Sequence, residues 1–541
     1  MPEPRRVLAA AAALLLLHLL LALPARPGAL GPAAFLRLPL ELPLLLALVL
    51  AFPTRPMRAA VSVLVLATLL VKLADLATEV AFRRPFNPVL DAGLVPAAWR
   101  LASGALGWPS ALAVLLATVL AGLFAARATW WATGEIARLA PVGRGARALA
   151  LAAAALVLVA PLPGEPRTAR LAWDHLRDAR QARADLASFR LEAAADPQAA
   201  LPPGEVLAAL RGTDVLLVFV ESYGRSALEN PLYRPTVTAA LSAAEAPLEA
   251  AGLGARSGYL ASPVVGGQSW LAHASLLSGL TVSDQGRYRA LLASPRRTLL
   301  HLAQAAGWET AAVMPAITLA WPEAAWFGYD RVLAAADLGY AGLPFNWVTM
   351  PDQFTLAALE RKLLDPAPRR AVFAEVALIS SHAPWTPIPP LLPWDALGDG
   401  RIFDPYAAAG DPPDVVWRDP DRGRAQYLMS LDYVLRTLGE FALRRAARPT
   451  LVVVLGDHQP AAFVSGDETG RDVPLHVIGP PALLAHLDAW DLTPGLLPAR
   501  HAPTWPMQAF RDRFLAAFAA EAPTRAAANR QSQPLPGAAE R

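Results

Sequence analysis

Leu451-Val452-Val453-Val454-Leu455-Gly456-Asp457-His458 is an apolar run of strand composition that ends in two metal-capable side chains. A second run, Val215-Leu216-Leu217-Val218-Phe219-Val220, ends in Glu221 in the same way. Strands covered on both faces read as unbroken apolar runs, and open α/β sheets build their sites outside the carboxyl ends of such strands. Between the two runs, SPVVGGQSWLAHASLLSGL places Ser269 behind Gly266 and Gly267, at the start of a helical stretch. Carboxylate, imidazole and hydroxyl donors from these three places suit one divalent cation, with the serine oxygen as both ligand and nucleophile.

Outward from these runs, short apolar segments alternate with helical ones. VLLVFV is followed by a helix near Trp270 to Ser278, then TAAVM, a helix near Phe354 to Leu364, AVFAEVALIS, a helix near Arg424 to Leu443, LVVVLG and PLHVIG. This alternation predicts an α/β domain over 204–523 with a largely parallel central sheet. The Pro-rich stretch from Pro384 to Pro413 is long for a connection and reads as a substrate-facing loop. Residues 164–203 read as a juxtamembrane helical linker, rich in Ala, Arg, Leu and Asp, and 524–541 as a disordered tail.

The first 163 residues differ in kind. Apolar runs at about Val7 to Leu23, Leu36 to Phe52, Ala59 to Leu76, Ser110 to Ala126 and Ala146 to Leu162 each approach the roughly 17–25 residues that cross a bilayer as a helix, predicting five spans. Arg5, Arg6, Arg55, Arg58, Arg127, Arg138, Arg144 and Arg147 fall in loops on one side, which positive-inside makes cytoplasmic; Arg83, Arg84 and Arg100 run against the rule. The later domain is then expected outside the cytoplasm, at a bacterial inner membrane. With no Cys, disulfides and thiolate metal sites are excluded. The net charge of +3 comes partly from the cytoplasmic arginines and argues for topology, not nucleic acid.

The motifs VESYG with Glu221, GGQSW with Ser269, SSHAPW with His382, and LGDHQP with Asp457 and His458 stand in this order between Thr213 and Pro480. In this the chain resembles the alkaline phosphatase and sulfatase superfamily. Behind five spans it is similar to the membrane phosphoglycerol and phosphoethanolamine transferases, including lipoteichoic acid synthases. The resemblance implies that Glu221, Asp457 and His458 are metal ligands, that Ser269 is a nucleophile touching the metal, and that His382 holds a phosphate oxygen or protonates a leaving group. Trp321 resembles a position where lipoteichoic acid synthases carry a Trp followed by an Arg that grips glycerol phosphate. Here Pro322 and Glu323 follow, and Glu323 suits an ammonium head group. His273, four residues after Ser269, shares its helical face.

Residue by residue, plainer readings stand beside these. Glu221 is also a strand-end carboxylate near Arg225, Ser275 and Ser278 are rival serines on the same helix, and His273 is also a polar helix-face histidine. Three oxygens and one nitrogen suit manganese or zinc, and magnesium is compatible. The expected activity is transfer of a phospholipid head group, phosphoethanolamine or phosphoglycerol, through a phosphoseryl intermediate to a cell-envelope glycan or lipid acceptor. A membrane-anchored phosphodiesterase or sulfatase-like hydrolase is the alternative, and a non-catalytic sensor a third. Oligomeric state, donor and acceptor are left open by the sequence.

Overall fold

The computed structural model of the chain describes residues 4–82, 84–91, 107–140, 164–466 and 470–519, with a few more between 99 and 152. It divides into two compact units, Met1–Asp185 and Leu186–Arg541.

The first unit is helical. Helices α1 (Pro4–Ala22), α3 (Arg55–Phe82) and α4 (Trp108–Ala137) supply the three stretches among the described residues that are long and apolar enough to cross a membrane. The second expected span is corrected: α2 covers only Glu41–Ala51, too short to cross. Ahead of it, Leu38–Pro39 pair in parallel with Gly164–Glu165 and Arg37 bonds Glu165 at 2.7 Å, so the chain is held out of helix there. The fifth expected span falls largely outside the described residues, and so does the expected tail. Leu17, Leu21, Leu42, Leu45, Val61, Val65 and Ile136 form the interior of this unit. Helix α5 (Arg167–Ala194) follows, and the division between units falls within it.

The second unit is built on a nine-stranded sheet. In chain order the strands are β1 (Asp214–Val220), β2 (Gly254–Ala261), β3 (Glu309–Met314), β4 (Arg331–Ala334), β5 (Val372–Leu378), β6 (Thr450–Gly456), β7 (Asp472–Gly479), β8 (Thr493–Pro494) and β9 (Thr504–Pro506). Their order is β8-β2-β7-β6-β1-β5-β3-β4, with β9 beside β2. From β6 to β4 every pairing is parallel, whereas β7 runs antiparallel to both β6 and β2. The sheet is therefore mixed, with a parallel block carrying an antiparallel flank. β2 was not foreseen because GARSGYLA has two glycines and two polar residues; its pairing with β7, not its own propensity, makes it a strand.

Every residue of β1 and β6 is buried. Leu216, Val218 and Val220 face one core, under α6 (Arg234–Ala250), α8 (Asp352–Leu359) and α9 (Pro420–Arg444). Val215, Leu217 and Phe219 face the other, under α7 (Ser269–Ser278). Two covered faces leave only the strand ends open, and that is where the polar side chains of β1 and β6 emerge. The Pro384 to Pro413 stretch makes only single helical turns and is pinned by the buried Leu397 and Phe403.

Candidate active site and metal centre

Strands β1 and β6 are neighbours in a register that pairs Val220 with Gly456. Glu221 and Asp457 therefore leave the sheet side by side. The crossing is tight: the Asp457 amide donates to the Val220 carbonyl at 3.3 Å, and the Ser222 amide donates to Asp457 Oδ1 at 2.8 Å. A Cβ at Gly456 would lie 1.8 Å from the Tyr223 carbonyl oxygen, so the turn after β1 fits only against glycine. The Ser381 hydroxyl, just beyond β5, donates to the Glu221 carbonyl at 2.6 Å, and the Tyr427 hydroxyl of α9 donates to the Ser222 carbonyl at 2.8 Å.

Ser269 reaches the same place from α7. Gly266 at φ 73° and Gln268 at φ 66° turn the chain through left-handed backbone so that Ser269 opens the helix. Its hydroxyl donates to Glu221 Oε2 at 2.9 Å and lies 3.2 Å from His458 Nε2. His458 Nδ1 is 2.8 Å from the Gln459 carbonyl; donating there fixes that nitrogen and leaves Nε2 toward the carboxylates.

One donor atom each from Glu221, Asp457 and His458 lie within 4.8 Å of one another, all three residues buried. Burial and the neighbouring Glu221 charge push the Asp457 carboxyl up to about 7. Burial disfavours a charged His458, yet Asp457 and Glu221 outweigh it and raise the imidazole to about 9. For Glu221 burial is again opposed, by His458 and His382, and the net shift is well below the ordinary carboxyl value. Asp457 Oδ2 is buried with no hydrogen-bond partner. Two closely set carboxylates, one of them with an orphaned oxygen, an imidazole nitrogen and a hydroxyl fit a single divalent cation, which would satisfy that oxygen and take the place of the histidine proton.

The remaining expected residues separate into near and far. His382 follows β5, stacks on Trp347 at 3.9 Å, holds its Nδ1 2.5 Å from the Ala383 carbonyl, and is close enough to act on Glu221. Arg225 is engaged by Glu229 and Asp472, each at 2.9 Å, and not by Glu221. Ser275 and Ser278 are fully buried; the Ser275 hydroxyl bonds the Leu271 carbonyl at 2.7 Å. Trp321 packs on Phe327 and Tyr329, and Glu323 precedes the turn Ala324–Phe327; among the described residues no contact joins either to the four-residue cluster. His273 lies against the sheet, 2.6 Å from Glu375. Glu375, and Tyr329 which donates to it, were missed in the sequence, although an acid inside AVFAEVALIS breaks an otherwise apolar strand.

A family model described as Sulfatase matches residues 213–530, more than half of the chain. Among solved structures, the lipoteichoic acid synthase LtaP from Listeria monocytogenes is similar at 14% identity and a TM-score of 0.33, covering 50% of this chain and 66% of that one, just under two thirds of it. The phosphoglycerol transferase GacH from Streptococcus pyogenes, in complex with sn-glycerol-1-phosphate, is similar at 15% identity and a TM-score of 0.34, covering 54% and 74%. The C-terminal periplasmic domain of EptC from Escherichia coli, in complex with Zn, is similar at 15% identity and a TM-score of 0.33, covering 51% and 75%. No curated protein matches the chain.

Proposed function

The chain belongs to the sulfatase family, and from that premise we propose that it is a metal-dependent membrane transferase, moving a phospholipid head group through a phosphoseryl intermediate to a cell-envelope hydroxyl. The observation that carries this reading is the Ser269 hydroxyl, hydrogen-bonded within the Glu221–Asp457–His458 cluster at the start of α7. A serine hydroxyl is nearly always protonated at pH 7, and a bound divalent cation, manganese or zinc by the donor set, would both stabilise its alkoxide and screen the anionic diester.

Glu221, Asp457 and His458 would hold the cation. Ser269 Oγ attacks phosphorus, and the first turn of α7 offers backbone N–H groups to the phosphoryl oxygens. As the bond to the diacylglycerol oxygen breaks, that oxygen takes a proton from His382 Nε2, whose ring is fixed by Trp347 and the Ala383 carbonyl. An acceptor hydroxyl then returns its proton to His382 and displaces Ser269. The three apolar helices support a donor drawn from the membrane, since tethering raises its local concentration. A sulfatase role is disfavoured by the motif: the formylglycine pattern Cys/Ser-x-Pro/Ala-x-Arg meets Leu271 and His273 here.

Mass spectrometry of the Ser269 peptide, after incubating metal-loaded protein with bacterial phospholipids, is expected to show a phosphoethanolamine or phosphoglycerol adduct, its mass naming the donor. Ser269→Ala should lose at least about a thousandfold in turnover while keeping most of its metal. Head-group release into water with an unmodified peptide would make the protein a phosphodiesterase. Equal activity in Ser269→Ala would remove the nucleophile.

A further inference from the structure

The proposed chemistry leaves one proton without a destination. Ser269 must lose its hydroxyl proton on attack, yet the acceptors beside it, Glu221 and His458, are committed to the cation, and His382 serves the leaving oxygen. A third imidazole stands on the face of α7 that carries Ser269. His273 is four residues on, so the two Cβ atoms are about 5–6 Å apart.

His273 is held on two sides. Its ring stacks on Phe219 with centroids 3.7 Å apart and planes 13° from parallel. Its Nδ1 lies 2.6 Å from Glu375 Oε1, and Tyr329 donates its hydroxyl to Glu375 Oε2. Burial and the facing carboxylate push the Tyr329 phenol well above its ordinary value, so it stays a donor. Glu375 is only 1% exposed, and a buried carboxylate needs such partners.

The sheet register gives the ring a direction. Phe219 is level with Ala377, whereas Glu375 is level with Leu217, two residues deeper in the sheet. With Nδ1 turned down toward Glu375, Nε2 lies on the side facing the carboxyl edge, where Glu221, Ser269 and Asp457 emerge. The field of His273 reaches Asp457, which agrees with this placement. Among the described residues no hydrogen bond is made by Nε2. In the neutral ring, a proton on Nδ1 leaves Nε2 as an acceptor. Ionisable groups around the ring are Glu375 on β5, Tyr329 behind it, Asp457 just beyond β6 and Tyr288, on which Glu375 acts.

We propose that His273, oriented by Glu375 and Tyr329, accepts the Ser269 hydroxyl proton at Nε2, directly or through one water. This rests on the serine-nucleophile reading above. In the first half-reaction the proton passes from Ser269 Oγ to His273 as the Oγ–phosphorus bond forms, while the diacylglycerol oxygen leaves with the proton of His382. In the second, the acceptor hydroxyl gives its proton to His382, and His273 returns its own to Ser269 as the Oγ–phosphorus bond breaks. Both imidazoles end as they began.

The test separates the two imidazoles by leaving group, using the full-length, manganese-loaded protein in phospholipid nanodiscs with either its lipid or a p-nitrophenyl phosphodiester. A nitrophenolate needs no protonation, so His382→Gln is expected to lose about a hundredfold with lipid and little with the nitrophenyl ester, whereas His273→Gln loses about a hundredfold with both. Glu375→Gln should lose about tenfold with both. Metal content should match the wild type, the thermal transition is expected to fall because Glu375 loses a buried partner, and imidazole added to His273→Ala below that transition should restore the rate in proportion to its free-base fraction, which a packing role would not give. His273→Gln within twofold of wild type on both substrates, or absence of imidazole rescue in a folded, metal-loaded His273→Ala, would overturn the proposal. A wild type that releases nitrophenolate without forming a lipid-derived Ser269 adduct would retire the transfer reading, and the variant comparison would still decide the relay. A wild type inert to both substrates would remove both.

Discussion

Gly456 is the residue on which the site's geometry depends most closely. A methyl group there would meet the Tyr223 carbonyl at 1.8 Å, a backbone atom that no rotamer change can move. Gly456→Ala is expected to destabilise the protein by about 3 kcal/mol or more and to weaken metal retention. Gly204→Ala, where the nearest atom is 3.7 Å away, should be close to neutral. Thermal unfolding with metal analysis checks both; equal transitions would show that the β1 turn is not tied to Gly456. The cluster itself was legible in the sequence because each member follows a local mark: Glu221 and Asp457 end apolar runs, and Ser269 follows two glycines. Glu375 was not, since its partners His273 and Tyr329 lie 102 and 46 residues away and only the folded sheet brings them together.

Among the elements, β1, β3, β5 and β6 were readable as apolar runs, that of β5 broken only by Glu375, and α9 by its buried stripe of Tyr427, Leu431, Val434, Leu438 and Phe441, whereas the short parallel strand β4 was not read. In the antiparallel flank β7 was read as a strand from PLHVIG but not its direction, and β2 escaped because it takes its extended form from β7. That flank also carries a buried histidine. His476, on β7, sits between the Tyr223 hydroxyl at 3.1 Å and Ser257 Oγ at 2.9 Å, and burial lowers it to about 4. The unfolded chain takes up this proton near 6.5 and the folded protein only near 4, so the contribution of a neutral His476 is full above 6.5 and is lost as pH falls through that window. The loss is on the order of 3 kcal/mol. Asp352, raised by burial to about 7, runs the opposite way, being favoured as pH falls. The difference between wild type and His476→Gln isolates the histidine: the wild-type advantage in denaturant unfolding at pH 7.5 should shrink toward pH 4.5. An advantage independent of pH would mean that His476 does not remain neutral on folding.

At the scale of the whole molecule, we propose that the N-terminus is cytoplasmic and the second unit lies outside; because α2 is too short to cross, the loop after it stays on the outer side reached by α1. A chain without cysteine makes this directly readable. Leu343→Cys, on an exposed position of the second unit, and Thr54→Cys, after α2, are both expected to react with a membrane-impermeant maleimide in intact cells, whereas a crossing second run would protect Thr54→Cys until permeabilisation. Protection of both would invert the orientation. The five-span count was the least legible feature. Hydropathy sums side chains and is blind to the pairing that holds Leu38–Pro39 out of helix.

The ligand-bearing strand ends share one parallel ladder, with the Asp457 amide on the Val220 carbonyl and the Ser222 amide on Asp457 itself. Pro384 to Pro413, by contrast, makes only single turns, anchored by the buried Trp385, Thr386, Leu397 and Phe403. A substitution in the ladder disturbs the sheet, whereas most substitutions in the turns disturb only themselves. In the proposed transferase such an arrangement favours divergence: the bond-making half is bound to the fold and hard to alter, while the Pro384 to Pro413 stretch can change at less risk to folding.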